Sequence, residues 1–235
     1  MRSILILAGL GLAACNTDPG EPVEGVGYRD GLDGPNSGER GTIKITEIGW
    51  AGSVLNGGAW DPDDVFVEVR NEGTRPMNLE GWLIEMDGTQ NVTWRIPPHG
   101  DPINVGDYLL IARKNTGCFP NPDAVIPDLD FGRGDPFRLT LLDADERLIE
   151  PAGDRYMPVF AGIYDGQVTR SMEKVELIFG GRGSEPQSWH HYTVAEVDVP
   201  NNTRVAEACR QRTLASPGMP NSPDYSGAFA SGALD

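Results

Sequence analysis

Apolar residues in this chain recur at every second position over short stretches, and turn-forming residues separate the stretches. Successive side chains of a strand point to opposite faces, so this alternation predicts strands with one buried face. Thr42-Ile43-Lys44-Ile45-Thr46-Glu47-Ile48 follows the pattern. Residues 65–70 come next and stop at the turn Asn71-Glu72-Gly73. Further strands are predicted over 79–86, 92–96, 107–113, 137–142, 147–149 and 175–179, with Asp143-Ala144-Asp145-Glu146 closing a hairpin. No long segment has the 3.6-residue period of an amphipathic helix. Short strands at such spacings argue an all-β fold of two packed sheets. Residues 151–170 and 180–188 lack the pattern and read as long loops.

The two ends read differently. Met1-Arg2 precedes a short apolar run, residues 4–11, which ends in Leu12-Ala13-Ala14-Cys15. The run is shorter than the roughly 20 residues that span a bilayer. A basic start, a brief apolar stretch and small residues describe a secretory signal. Leu-Ala-Ala-Cys resembles the lipobox of bacterial lipoproteins. The resemblance implies a signal over 1–14, cleavage before Cys15, diacylation of its sulfur and acylation, palmitate-like, of the new amino terminus. Asn16 follows rather than Asp, which by analogy with lipoprotein sorting implies the outer membrane. Residues 15–41 are rich in Gly, Pro and acidic residues and too poor in apolar ones to offset ordering entropy. They read as a disordered linker that holds the domain about 25–30 Å from a membrane. Residues 223–235 read as a disordered tail.

The formal net charge of −16 over 235 residues opposes binding to nucleic acid or to anionic headgroups. Membrane affinity would come from the lipid instead. Apart from Cys15 the thiols are Cys118 and Cys209. In an exported chain these favour one disulfide; the alternative is two unpaired buried cysteines. Such a bridge is worth about 4 kcal/mol in the chain-entropy model.

A longer resemblance rests on the order of several motifs. These are Ile43-x-Ile45-x-Glu47-Ile48, Val67-Glu68-Val69-Arg70-Asn71-Glu72-Gly73, Leu79-Glu80-Gly81-Trp82, Ile96-Pro97-Pro98, Leu139-x-Leu141-Leu142-Asp143 and Ser216-Pro217-Gly218-x-Pro220-Asn221. Residues 42–222 resemble the lamin tail domain found on secreted and surface bacterial proteins. The resemblance implies an immunoglobulin-like β-sandwich, with Trp82 between the sheets opposite Val67 and Val69. Such domains often accompany nucleases or phosphatases on longer chains, which implies recognition rather than catalysis here.

Candidate chemistry is sparse. There is no G-x-S-x-G elbow, no C-x-x-C and no H-x-x-x-H. His99 follows two prolines and is expected at the surface. His190 and His191 are expected on opposite faces of one strand. Catalysis is therefore not expected. Asp61-Pro62-Asp63-Asp64, Asp128/Asp130/Asp135 and Asp143/Asp145/Glu146 supply hard oxygen ligands of the kind Ca²⁺ prefers. None matches an EF-hand, and solvated acidic turns are the blander reading. Asp61, Asp63 and Asp64, in the loop of Trp60, are the metal candidates. Trp50 and Trp60 would anchor a glycan or protein partner if exposed, but large aromatics more often pack inside. Arg133-Gly134-Asp135 spells an adhesion tripeptide that an ordinary glycine turn also explains. The expected function is a non-catalytic, lipid-anchored envelope protein that binds or scaffolds another component. The alternative is a Ca²⁺-dependent binder or a hydrolase-associated protein.

Overall fold

A computed structural model describes residues 38–175, 182–195, 197 and 202–224. Cys15, the linker, the last residues from 225 and most of the predicted strand 175–179 lie outside the described residues. Among the described residues there are fifteen strands and no α-helix. In chain order they are β1 (Ile43–Gly49), β2 (Ser53–Val54), β3 (Trp60–Asp61), β4 (Phe66–Asn71), β5 (Leu83–Gly88), β6 (Val92–Arg95), β7 (Tyr108–Ala112) and β8 (Ala124–Val125). There follow β9 (Phe137–Leu142), β10 (Leu148–Gly153), β11 (Ile163–Tyr164), β12 (Thr169–Arg170), β13 (Met172–Lys174), β14 (Trp189–His191) and β15 (Thr213–Leu214).

A six-stranded sheet runs β14-β13-β1-β4-β7-β8 and faces a four-stranded sheet β10-β9-β5-β6. The core between them joins Ile43, Ile45, Ile48, Val67, Val69, Leu109 and Ile111 of the first to Ile84, Met86, Trp94, Leu139, Leu141 and Ile149 of the second. The fold is thus an all-β sandwich, and the alternating residues of β1, β4, β7 and β9 supply its inner faces. Trp82 is fully buried in the same cluster as Val67 and Val69. The Asp143–Glu146 turn closes β9 onto β10, with Asp143 N–H donating to Arg147 O at 3.0 Å. Asp143 also accepts from the N–H groups of Asp145 and Arg147, so its buried carboxylate organises the turn.

Two features depart from the sequence reading. Residues 151–170 are not simply a loop. Strand β10 extends to Gly153, and β11 and β12 join β15 in a separate three-stranded sheet. Two-residue strands are too short to express a period, so alternation could not reveal them. The outer face of the six-stranded sheet is also covered rather than solvated. A second cluster joins Phe66, Leu110 and Ala112 of that face to Cys118, Phe119, Tyr192, Val205, Cys209, Leu214 and Ala215. Cys118 and Cys209 are disulfide-bonded, with Cα atoms 5.6 Å apart, and the bridge ties the C-terminal segment across this face.

Candidate functional site

The covered outer face carries the densest group of ionisable residues. In β1 a bulge at Thr46 shifts the register, so that Ile45 and Ile48 both reach the core while Glu47 points outward. Glu47 then lies directly opposite Glu173 on β13 and Glu68 on β4, and Glu173 lies opposite His190 on β14. All three glutamates are fully buried. Like charges directly opposite one another are unfavourable, and burial adds to the cost of ionisation. Burial holds all three carboxyls above their ordinary range, Glu68 at about 8, and at Glu47 and Glu68 the neighbouring carboxyls add to the effect.

Segment 216–222 supplies most of the donors to this row. Ser216 N–H donates to Glu47 Oε1 at 2.8 Å, and Gly218 N–H donates to Glu68 Oε2. The hydroxyls of Ser216 and Ser222 donate to Glu173, and Thr46 Oγ1 donates to Glu68 Oε1 at 3.0 Å. Asn221 Nδ2 reaches the carbonyls of Thr46 and Lys174. The row therefore works as an internal clamp on the C-terminal segment. All of its oxygens except the buried, unpartnered Glu47 Oε2 meet protein donors, and among the described residues no group of three or more His, Cys, Asp or Glu is placed to hold a metal.

The same holds for the sequence candidates. Asp61 pairs with Lys114, and Asp63 lies 3.3 Å from Arg113. Asp64 turns inward, fully buried, and accepts from Ser53 Oγ at 2.6 Å and Cys118 N–H at 2.7 Å. Burial raises its proton affinity, against those donors. At the expected Ca²⁺ site, Asp61, Asp63 and Asp64 each meet a different protein partner, and among the described residues they do not form a group placed to hold a metal. Asp130 accepts from Gly132 N–H, another turn contact. His99 is half-buried rather than at the surface, its Nε2 accepting from Leu79 N–H at 3.1 Å. His190 is buried and His191 exposed, on opposite faces of β14.

The exposed chemistry lies elsewhere. A hollow of about 180 Å³ is lined by Trp50, Ala51, Trp60, Pro62, Arg133, Ile163 and Tyr164. Trp60 is 38% exposed, not buried, and stacks on Tyr164 with centroids 4.4 Å apart and ring planes 12° from parallel. Both indole N–H groups are already used, Trp50 on Ala161 O at 2.8 Å and Trp60 on Ala51 O at 3.0 Å. The rings therefore offer faces and edges rather than donors. Trp50 is fixed between two glycines: a Cβ at Gly162 would lie 2.3 Å from its Nε1, and one at Gly134 would lie 2.9 Å from its ring. Arg133 sits between Gly132 and Gly134 in the left-handed region, at φ 56°. Non-glycine residues are rare there and cluster at functional sites.

The adhesion-like tripeptide is thus a turn that sets Arg133 at the rim of an aromatic hollow. Tyr164 and Ile163 were illegible in the sequence, because they lie on a two-residue strand inside a predicted loop. No protein-family model matches the chain, and no curated protein is significantly similar to it.

Proposed function

We propose that this protein is a non-catalytic binding module, lipid-anchored at Cys15 and held off the cell envelope by its linker. It engages another envelope or extracellular component through the hollow formed by Trp50, Trp60, Tyr164 and Arg133. The observation that carries the reading is the exposed Trp60–Tyr164 stack beside an accessible arginine. Apolar hollows with a few convergent polar groups are the usual form of a ligand site. The buried ionisable residues, by contrast, are engaged in holding the fold together, which supports binding over catalysis. The lamin-tail-like motif order and the lipobox-like start support an envelope module of that type, with the outer membrane as its location.

Two comparisons test this. Cys15→Ser should abolish palmitate labelling of the full chain and yield an unlipidated, soluble protein; continued labelling would refute the anchor. That soluble variant should be retained on isolated envelopes, and adding Trp60→Ala should abolish retention. Equal retention of the two proteins would refute the binding face.

A further inference from the structure

The binding-module reading leaves the ligand open, and the hollow restricts it. Its volume of about 180 Å³ falls below the roughly 300–1,000 Å³ of clefts that take drug-sized ligands. It therefore fits one ring or one side chain. Its walls are aromatic and aliphatic, and both indole N–H groups are committed to backbone carbonyls. Contact with the walls must come from an apolar face rather than from hydrogen bonding to the indoles.

Arg133 supplies the polar end. Most other arginines near the chain's acidic turns are engaged, as Arg113 with Asp63 and Arg147 with Asp143. Arg133 is exposed and meets no hydrogen-bond or ion-pair partner among the described residues. In a chain of net charge −16, an arginine without a carboxylate partner, held at a strained φ beside an aromatic hollow, is positioned to receive an anion. The size of the charge discriminates further. A phosphate monoester brings about 1.5 to 2 negative charges, which one arginine in an acidic protein does not balance. A carboxylate brings one and matches the guanidinium in bidentate geometry. A peptide docking by strand addition would need a run of free backbone groups. The bordering strands β3 and β11 are only two residues long.

We infer that the hollow binds a six-membered ring bearing a single carboxylate, a uronic-acid residue of an acidic glycan, with the ring against Trp60 and Tyr164 and the carboxylate on Arg133. This rests on the binding-module reading and specifies its ligand.

The test is calorimetric titration of the full chain with trigalacturonate, the neutral galactose trisaccharide and an acidic hexapeptide, with tryptophan emission as a second readout. Trigalacturonate should bind at least tenfold more tightly than the neutral sugar. Arg133→Gln, an exposed change that removes no internal contact, should erase that difference. Trp60→Ala should abolish binding of both sugars. Equal affinity for the two sugars, or no effect of Arg133→Gln, would overturn carboxylate recognition while leaving a binding module. Preference for the peptide would overturn the glycan in the same way. If no probe binds but envelope retention still depends on Trp60, the ligand assignment fails and the module stands. If no probe binds and Trp60→Ala changes nothing, both fail.

Discussion

Ser216 donates its backbone N–H to Glu47 across 169 positions of sequence, and this contact joins the last part of the domain to its first strand. Glu47 sits at the centre of the cross-strand row His190–Glu173–Glu47–Glu68, and the Ser216–Ser222 segment closes over it. The motif Ser-Pro-Gly-x-Pro-Asn and the glutamates of β1 and β4 are thus two halves of one contact. A sheet face that would otherwise be polar and solvated becomes a second interior.

The row makes stability depend on pH in an unusual direction. The three carboxyls bind protons more tightly in the folded chain than in the unfolded one, Glu68 up to about 8. Their contribution is fully present below the unfolded carboxyl value of about 4.5 and is lost as pH rises, for Glu68 through about 8. Burial lowers the proton affinity of His99, so its contribution is present above about 6.5 and lost as pH falls. Above pH 6.5 the carboxyl row therefore dominates. We expect the melting temperature to fall by about 5–10 °C between pH 6.5 and 9, a loss of a few kcal/mol. Glu68→Gln keeps the shape without the charge and should flatten the slope. Calorimetric scans across that range, showing a flat or rising profile for the unaltered chain, would refute the clamp's protonation.

The disulfide secures the same segment from another side. It closes a loop with a sequence separation of 91 and lies in the cluster of Phe66, Phe119 and Leu214. A loop of that length corresponds to about 4–5 kcal/mol in the chain-entropy model. Reduction, or Cys118→Ser with Cys209→Ser, should lower the melting temperature by at least about 8 °C. It should also expose the 202–222 region to protease before the rest of the sandwich. Peptide mapping under non-reducing conditions provides the check: a linked Cys118–Cys209 peptide is expected, and two free thiols would contradict it.

How far the sequence disclosed this depends on length and on direction. The strands containing Ile43, Val67, Leu109 and Leu139 run for five residues or more, enough to show alternation, and the sandwich was readable from them. The Thr46 bulge left only a change of parity, Ile43 and Ile45 being followed by Ile48, and its meaning emerges only when the partner strands are known. The clamp was hidden for the same reason. Glu47, Glu68 and Glu173 each read as an outward polar residue of its own strand, and only cross-strand register brings them together. Trp50 and Trp60 were visible as candidates, but Tyr164 and Arg133 joined them through tertiary contact alone. For the aspartates, adjacency in sequence did not disclose their partners: Asp64 faces inward while Asp61 and Asp63 face lysine and arginine.

That divergence gives a graded mutational series. Asp61→Ala and Asp63→Ala each remove a partly exposed ion pair and should cost less than about 1 kcal/mol. Asp64→Ala leaves the Cys118 N–H and the Ser53 hydroxyl without their buried acceptor, and should cost about 2–3 kcal/mol. Millimolar Ca²⁺ should leave the melting temperature of the unaltered chain unchanged. A Ca²⁺-dependent rise that vanished in all three variants would restore the metal site.

Gly162 offers a test of how the hollow is built. Its φ of +83° and the 2.3 Å gap to Trp50 Nε1 leave no room for a methyl group. In Gly162→Ala either the backbone must leave the left-handed region or the indole must move off Ala161 O. The second response is cheaper, because Trp50 is only half-buried and its hydrogen bond contributes about 1 kcal/mol. We therefore expect modest destabilisation, about 1–3 kcal/mol, with a red shift of tryptophan emission as the ring gains water. The sandwich core around Trp82 should stay intact, seen as unchanged far-ultraviolet circular dichroism. Retention on envelopes should fall with it, since displacing Trp50 removes one wall while Trp60 and Arg133 remain. Full retention alongside a red-shifted emission would show that Trp50 is scaffolding for the turn rather than part of the contact surface.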